Sequence, residues 1–266
     1  MKKVWICLFA LIMGLLGTAC GYQETQTKVK TEEDAAVEIV VFAAASMTET
    51  LTEIAELYKE VCPDVRLIFN FDSSGTLKTQ IEEGAVCDLF ISAGQKQMDQ
   101  LDIKEDTRIN ILENKVVLAV PDDNPKDIKT FEDMVEGLKE GSILFAMGNS
   151  DVPVGQYTQK IFDYYELNEE ELANIGVITY GSNAKEVTTQ IKEGAVDCGV
   201  IYCTDAYSAE LNIVNYATSE MCGQVIYPAA VMKTSEVEVH ALEFLDYLTT
   251  DEAMAVFERV GFTSVE

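Results

Sequence analysis

The chain has 266 residues, 48% of them hydrophobic, and a formal net charge of −27. That is apolar chain enough for two domains of ordinary size, and the acidic excess argues against nucleic acids and anionic lipid surfaces as partners. A single histidine, His240, and seven cysteines without a CxxC pair argue against a zinc site.

The first element is a leader. Lys2 and Lys3 precede an apolar run over residues 4–16, too short to span a bilayer. Gly17, Thr18 and Ala19 then lead into Cys20, the pattern of an export signal. Small residues before Cys20 and Gly21 after it predict cleavage of residues 1–19 and a diacylglyceryl group on the Cys20 sulfur, although Gly17 stands where a lipobox has leucine. Residues 20–36 are polar and charged without a hydrophobic period and read as a flexible tether. Loss of the leader, with its two lysines and no acids, takes the net charge from −27 to −29. Exposed charges are screened over about 8 Å, so backbone dipoles can still make a buried site locally positive. The global charge therefore leaves an anionic ligand open.

Folding is expected to begin near Val37. EIVVFAA, 38–44, reads as a strand, followed by Ser46 and a helix from Met47. Ser46 and Glu49 have capping-box spacing, and Leu51, Ile54, Ala55 and Tyr58 form the apolar stripe. SGTLKTQIEEG, 74–84, is a helix with Leu77 and Ile81 on one face, stopped at Gly84 and followed by the strand CDLFISA. NKVVLAVP, 114–121, is a strand and a candidate crossing between lobes. SILFAMG, 142–148, is the next strand; the loop NSDVPVG leads from it into a helix through Tyr157, Ile161 and Tyr165. AKEVTTQIKEG, 184–194, is a helix with Val187 and Ile191 on one face, stopped at Gly194 and followed by the strand DCGVIYC. QVIYPAAVM, 224–232, is the candidate return crossing, and amphipathic helical segments over 236–260 close the first lobe.

Alternating strands and helices predict an α/β fold in two lobes, each a mixed sheet flanked by helices. The expected lobes are 37–117 with 227–266, and 118–226. Two crossings favour a clamshell over a loose tandem. Cys62, Cys87, Cys198, Cys203 and Cys222 are odd in number and cannot all pair within one molecule; Cys87 and Cys198 sit in apolar strand patterns, as buried small hydrophobes do.

The sequence also repeats itself. QIEEGAV at 80–86 returns as QIKEGAV at 190–196, each time before an apolar strand. One helix-to-strand unit is thus expected once per lobe, with Ser74 opposite Ala184. Each lobe offers two helix N-termini at the carboxyl ends of strands. That is where open α/β sheets bind ligands, and where unpaired N–H groups and a partial positive charge face outward. Four such ends converging make an anion cage without arginine.

The strings VFAAASMTETL, FDSSGTLKTQIEEGAVCDLFISA, VPVGQY, GVIYCTDA, YPAAV and VFERVGF, in that order, resemble the extracytoplasmic molybdate-binding proteins of molybdenum ABC importers. The resemblance covers nearly all the chain after the tether. It implies a two-lobed periplasmic-binding-protein clamshell of type II that holds molybdate or tungstate as an oxyanion, with no metal cation and no cofactor. It implies as ligands the hydroxyls of Ser46, Ser74 and Tyr202 and the backbone amides of Val154 and Ala184. It implies further an ABC permease as partner, a monomer, and a position outside the cytoplasm, held by lipid to the outer face of the cell membrane.

Other readings stay open. The same fold serves sulfate, thiosulfate, phosphate or ferric ion, though iron sites want tyrosine pairs, carboxylates and often histidine. An extracellular enzyme is disfavoured because no GxSxG or P-loop occurs and His240 lies beyond the ligand motifs. An adhesive lipoprotein is disfavoured by donor-rich motifs in both halves of the chain.

Overall fold

The computed structural model describes residues 36–265; the leader, Cys20 and the tether up to residue 35 lie outside them. Among the described residues no helix is long and apolar enough to cross a membrane.

The chain opens with β1 (Val37–Ala44), a 3-10 turn over Ala45–Met47, and α1 (Thr48–Val61). β2 (Val65–Asp72), α2 (Ser74–Glu82), β3 (Leu89–Ile91), α3 (Gln95–Met98) and β4 (Ile109–Asn114) follow. Then come β5 (Val116–Val120), α4 (Phe131–Glu140), β6 (Phe145–Gly148), α5 (Pro153–Tyr164), α6 (Glu169–Asn174) and β7 (Ile178–Gly181). α7 (Ala184–Lys192), β8 (Cys198–Tyr202), α8 (Cys203–Ser208), β9 (Asn212–Tyr216) and α9 (Ser219–Cys222) complete the middle of the chain. β10 (Val225–Val231), α10 (Glu238–Tyr247), α11 (Asp251–Arg259) and β11 (Thr263–Ser264) end it.

The strands make two mixed sheets, β11-β4-β10-β3-β1-β2 and β7-β6-β8-β5-β9. In the first, β1 is parallel to β2 and β3 while β10 runs antiparallel to β3 and β4. In the second, β6 is parallel to β7 and β8 while β5 runs antiparallel to β8 and β9. The chain changes sheet at Lys115, between β4 and β5, and returns between β9 and β10.

Period-2 alternation explains the layering. On β1, Val41 and Ala43 join the cluster containing Leu51, Ile54 and Tyr58, whereas Phe42 joins Leu77, Phe90 and Met98 on the opposite face. Helices therefore cover both faces, which is why the parallel strands read as continuous apolar runs. Tyr58 anchors α1 with its ring centroid 4.9 Å from both Phe244 and Tyr247 of α10. Leu51 and Ile54 are fully buried, each contributing about 1.5–3 kcal/mol by transfer from water; Ala55 is only half-buried.

The internal repeat is structural. α2 and α7 start at Ser74 and Ala184, and each runs for 9 residues. Each ends with the same pair of backbone bonds, Gly84 N–H to Ile81 and Ala85 N–H to Gln80 in one, Gly194 N–H to Ile191 and Ala195 N–H to Gln190 in the other. The glycines sit at φ 95° and 65°, left-handed values that side chains resist. The five cysteines from Cys62 to Cys222 are free, and Cys87 and Cys198 are buried.

Candidate functional site

Five strand-to-helix turns point toward one another: β1 into the 3-10 turn, β2 into α2, β6 into α5, β7 into α7 and β8 into α8. Between them lies a small hollow with a cavity volume of about 10 Å³, room for about one water and far below the roughly 300–1,000 Å³ of pockets for drug-sized molecules. Ser46, Ser74, Ala184 and Tyr202 all line it, together with Asp72, Ser73, Val152 and Pro153. Val154 is not in the lining; its side chain is fully buried and its amide lies in the first turn of α5, one residue past Pro153. First-turn N–H groups have no partner within their helix. No lysine, arginine or histidine lines the cavity. Larger hollows exist, one with a cavity volume of about 410 Å³ around Ile81, Val86, Leu101 and Met232, but its lining is mostly apolar.

Ser46 does not cap α1. The residue before that helix is Met47, which makes no side-chain cap bond, and Ser46 sits inside the preceding 3-10 turn. The extra tight turn moves the helix start one residue on, out of register with the capping box read from the sequence. The Ser46 hydroxyl lies 3.0 Å from the Tyr227 hydroxyl, whose oxygen accepts from Asn114 Nδ2 at 3.2 Å. With that acceptance made, the Tyr227 proton can go to Ser46 Oγ, leaving the Ser46 proton for the cavity.

Ser73, not Ser74, caps α2, accepting from Thr76 N–H through its side chain. Ser74 is the first helical residue; its Oγ accepts from Ala93 N–H at 2.9 Å and it is 0% exposed, so its own proton is also unspent. Asn183 caps α7, accepting from Glu186 N–H, which leaves Ala184 as the first helical amide. The loop into α5 is folded back so tightly that a Cβ on Gly155 would lie 2.3 Å from the carbonyl oxygens of Gly148 and Asn149. Hence the glycine of the VPVG turn.

Tyr202 is 1% exposed and packs edge-on against Tyr157 and Tyr227. Its hydroxyl donates to Ala93 O at 3.4 Å, a long bond that spans the two sheets' elements. Burial, reinforced by neighbouring tyrosines and Asp205, pushes the hydroxyls of Tyr202 and Tyr227 well above the ordinary phenol value. Both remain neutral donors. Asp72 is the one acid in the lining; its Oδ1 accepts from Ser73 N–H at 2.7 Å and, at 3.5 Å, from Asn183 Nδ2.

The elements of the two sheets meet closely here. A Cβ on Gly75 would lie 2.1 Å from the Asp151 carbonyl oxygen, and Lys185 Nζ on α7 reaches Glu49 on α1 at 2.7 Å. Lys185 also stands 3.6 Å from Asp205. Tyr227 and Asn114, which orient Ser46, were not picked out as site residues from the sequence, although YPAAV and the end of β4 were on view; a pairing 113 residues apart leaves no local signal.

The family of bacterial extracellular solute-binding proteins matches residues 39–263. The Bacillus subtilis protein YvgL, named as an ABC transporter substrate-binding lipoprotein, is 32% identical over 99% of each chain. The Haemophilus influenzae molybdate-binding protein ModA is 30% identical over 86% of this chain and 91% of its own. The periplasmic molybdate-binding protein of Azotobacter vinelandii, at 19% identity, superposes with a TM-score of 0.74 over 86% of this chain and all of its own. The fold is therefore that of the two-lobed periplasmic binding proteins, one lobe built on each sheet. These relatives bind solutes and are not enzymes.

Proposed function

This chain belongs to the family of bacterial extracellular solute-binding proteins, and from that membership we propose that it is the ligand-binding subunit of an ABC importer loaded with molybdate or tungstate. The observation that carries the reading is a small cavity between helix starts, lined by Ser46, Ser74 and Tyr202 and by Ala184 at the start of α7, with no cationic side chain in it. Molybdate is fully deprotonated at neutral pH and needs donors only. Two serine protons, a neutral phenol and the amides of Val154 and Ala184 meet that need. Hydrogen bonds to a charged group contribute about 1.5–3 kcal/mol each, so five supply about 7.5–15 kcal/mol, a range that spans the roughly 8 kcal/mol of micromolar binding, before the costs of immobilisation and desolvation. Selection against sulfate then rests on size, since the charge and the demand for donors are alike.

The two lobes would hinge where the chain changes sheet, closing over the oxyanion and presenting the closed form to a membrane permease. Cys20 would carry the lipid that keeps a monomer at the outer face of the cell membrane, with residues 20–36 as the tether. One observation favours a second reading: Asp72 in the lining supplies an acceptor, which hydrogen phosphate needs and molybdate does not.

Calorimetric titration with molybdate, tungstate, sulfate and phosphate separates these readings. Tight one-to-one binding of the first two is expected. A preference for phosphate would transfer the assignment to the Asp72 reading, and heat from none of the four would end the oxyanion proposal.

A further inference from the structure

Asp205 is out of place in a site meant for a dianion. It lies in the first turn of α8, three residues past Tyr202, is 1% exposed, and neither carboxyl oxygen has a hydrogen-bond partner. A buried charge left without such partners is costly. Its neighbour Lys185 follows Ala184 at the start of α7, and so stands beside the same cavity. That ammonium is 3.6 Å from Asp205 but 2.7 Å from Glu49, which belongs to the other lobe.

The elements packed on α8 offer no further compensation. On α7, Glu186 accepts from Ser182 N–H, and Lys192 pairs with Asp122. β5 has no titratable residue and β8 has, besides Tyr202, only Cys198. On β9, Tyr216 faces Cys203. The remaining groups coupled to Asp205 are the hydroxyls of Tyr202 and Tyr227, both raised by its charge. Desolvation holds the Asp205 carboxyl up at about 6, Lys185 working against it and Glu49 with it.

We infer that lobe closure draws Lys185 from Asp205 to Glu49, and that Asp205 takes up one proton from solvent as the oxyanion is enclosed. The inference rests on the oxyanion reading above. The proton comes from the buffer acid and ends on a carboxylate oxygen, so one negative charge is removed from the protein for each dianion bound. The arrangement makes Asp205 a charge-compensating residue beside the site and not a ligand.

The test is titration of the full chain with sodium molybdate at pH 5.5 and pH 7.5, in buffers of different ionisation enthalpy and free of oxyanions. The slope of observed heat against ionisation enthalpy counts protons. At pH 5.5 uptake of about half to one proton per molybdate is expected, falling at pH 7.5, where wild-type affinity should be several-fold weaker. In Asp205→Asn the slope should vanish and the affinity should become independent of pH over this range. Should that variant not fold, the carboxyl carbon-13 shift of Asp205 in the empty and loaded wild type reads the same protonation. Molybdate binding with buffer-independent heat, or an unchanged slope in Asp205→Asn, would overturn the inference and leave the oxyanion reading standing. Heat from no oxyanion at all would overturn both.

Discussion

Gly75→Ala offers the sharpest separation between closure and folding. Gly75 is the second residue of α2, and its added Cβ would lie 2.1 Å from the Asp151 carbonyl oxygen and 2.9 Å from its carbonyl carbon. Relieving that overlap takes roughly 1.4 Å of movement, given ordinary contact distances of about 3.5 Å. The Asp151 loop has little room to give, because Asn149 N–H bonds Gly181 O, Val152 N–H bonds Asn149 O, and Asp151 N–H bonds Asn149 Oδ1. The lobes must therefore stand apart. A ligand bond of about 2.9 Å stretched by that amount falls outside hydrogen-bonding range, and each one lost from a charged ligand costs about 1.5–3 kcal/mol. Ten- to hundredfold weaker oxyanion binding is expected. The empty protein should melt no lower than wild type, since alanine favours a helix over glycine by up to about 1 kcal/mol. Calorimetry gives the affinity, thermal melting the stability, and small-angle scattering the compaction on adding molybdate. A folded Gly75→Ala protein that binds and compacts like wild type would refute the reasoning.

Ala184→Pro removes only the amide assigned to the ligand, because proline is tolerated at the first helical position and Asn183 is already extended at φ −155° and ψ 171°; circular dichroism should be unchanged while affinity falls at least about tenfold. Ser74→Ala should weaken both binding and folding, since it leaves the Ala93 N–H without its partner at a cost of about 1–3 kcal/mol, whereas Tyr202→Phe, losing only a 3.4 Å bond to Ala93 O, should spare the melting temperature and cost affinity. In the closed, loaded protein the Asp205 carboxyl, raised to about 6, should cost stability progressively as pH rises from about 4 to 6. Loaded Asp205→Asn should accordingly melt above loaded wild type at pH 7 and level with it at pH 4, and the opposite order would count against a buried carboxylate without hydrogen-bond partners.

What could be read from the chain, and what could not, follows the range of the interactions. α2 and α7 were legible because apolar spacing, a polar cap and a closing glycine all lie within eleven residues. The cavity's Ser74 and Ala184 were found through that same repeat. Ser46 was located on the right turn but given the wrong local role, since the hydroxyl that competes for it belongs to Tyr227, 181 residues away. The isolation of Asp205 and the shared allegiance of Lys185 were invisible for a related reason: burial and missing partners are properties of the packed lobes. The role of Gly75 is likewise absent from any local pattern, because it is set by the Asp151 loop that faces it.

The strand order of the first sheet carries a consequence for how the molecule assembles. β10 lies in the middle of that sheet, between β3 and β4, yet it is supplied only after the chain has built the whole second sheet. Without it, β4 and β11 have no link to β1, β2 and β3. A nascent chain that stops before Val225 therefore leaves the amino-terminal strands as an unsealed half-layer with open edges, and late-arriving partners of this kind slow maturation.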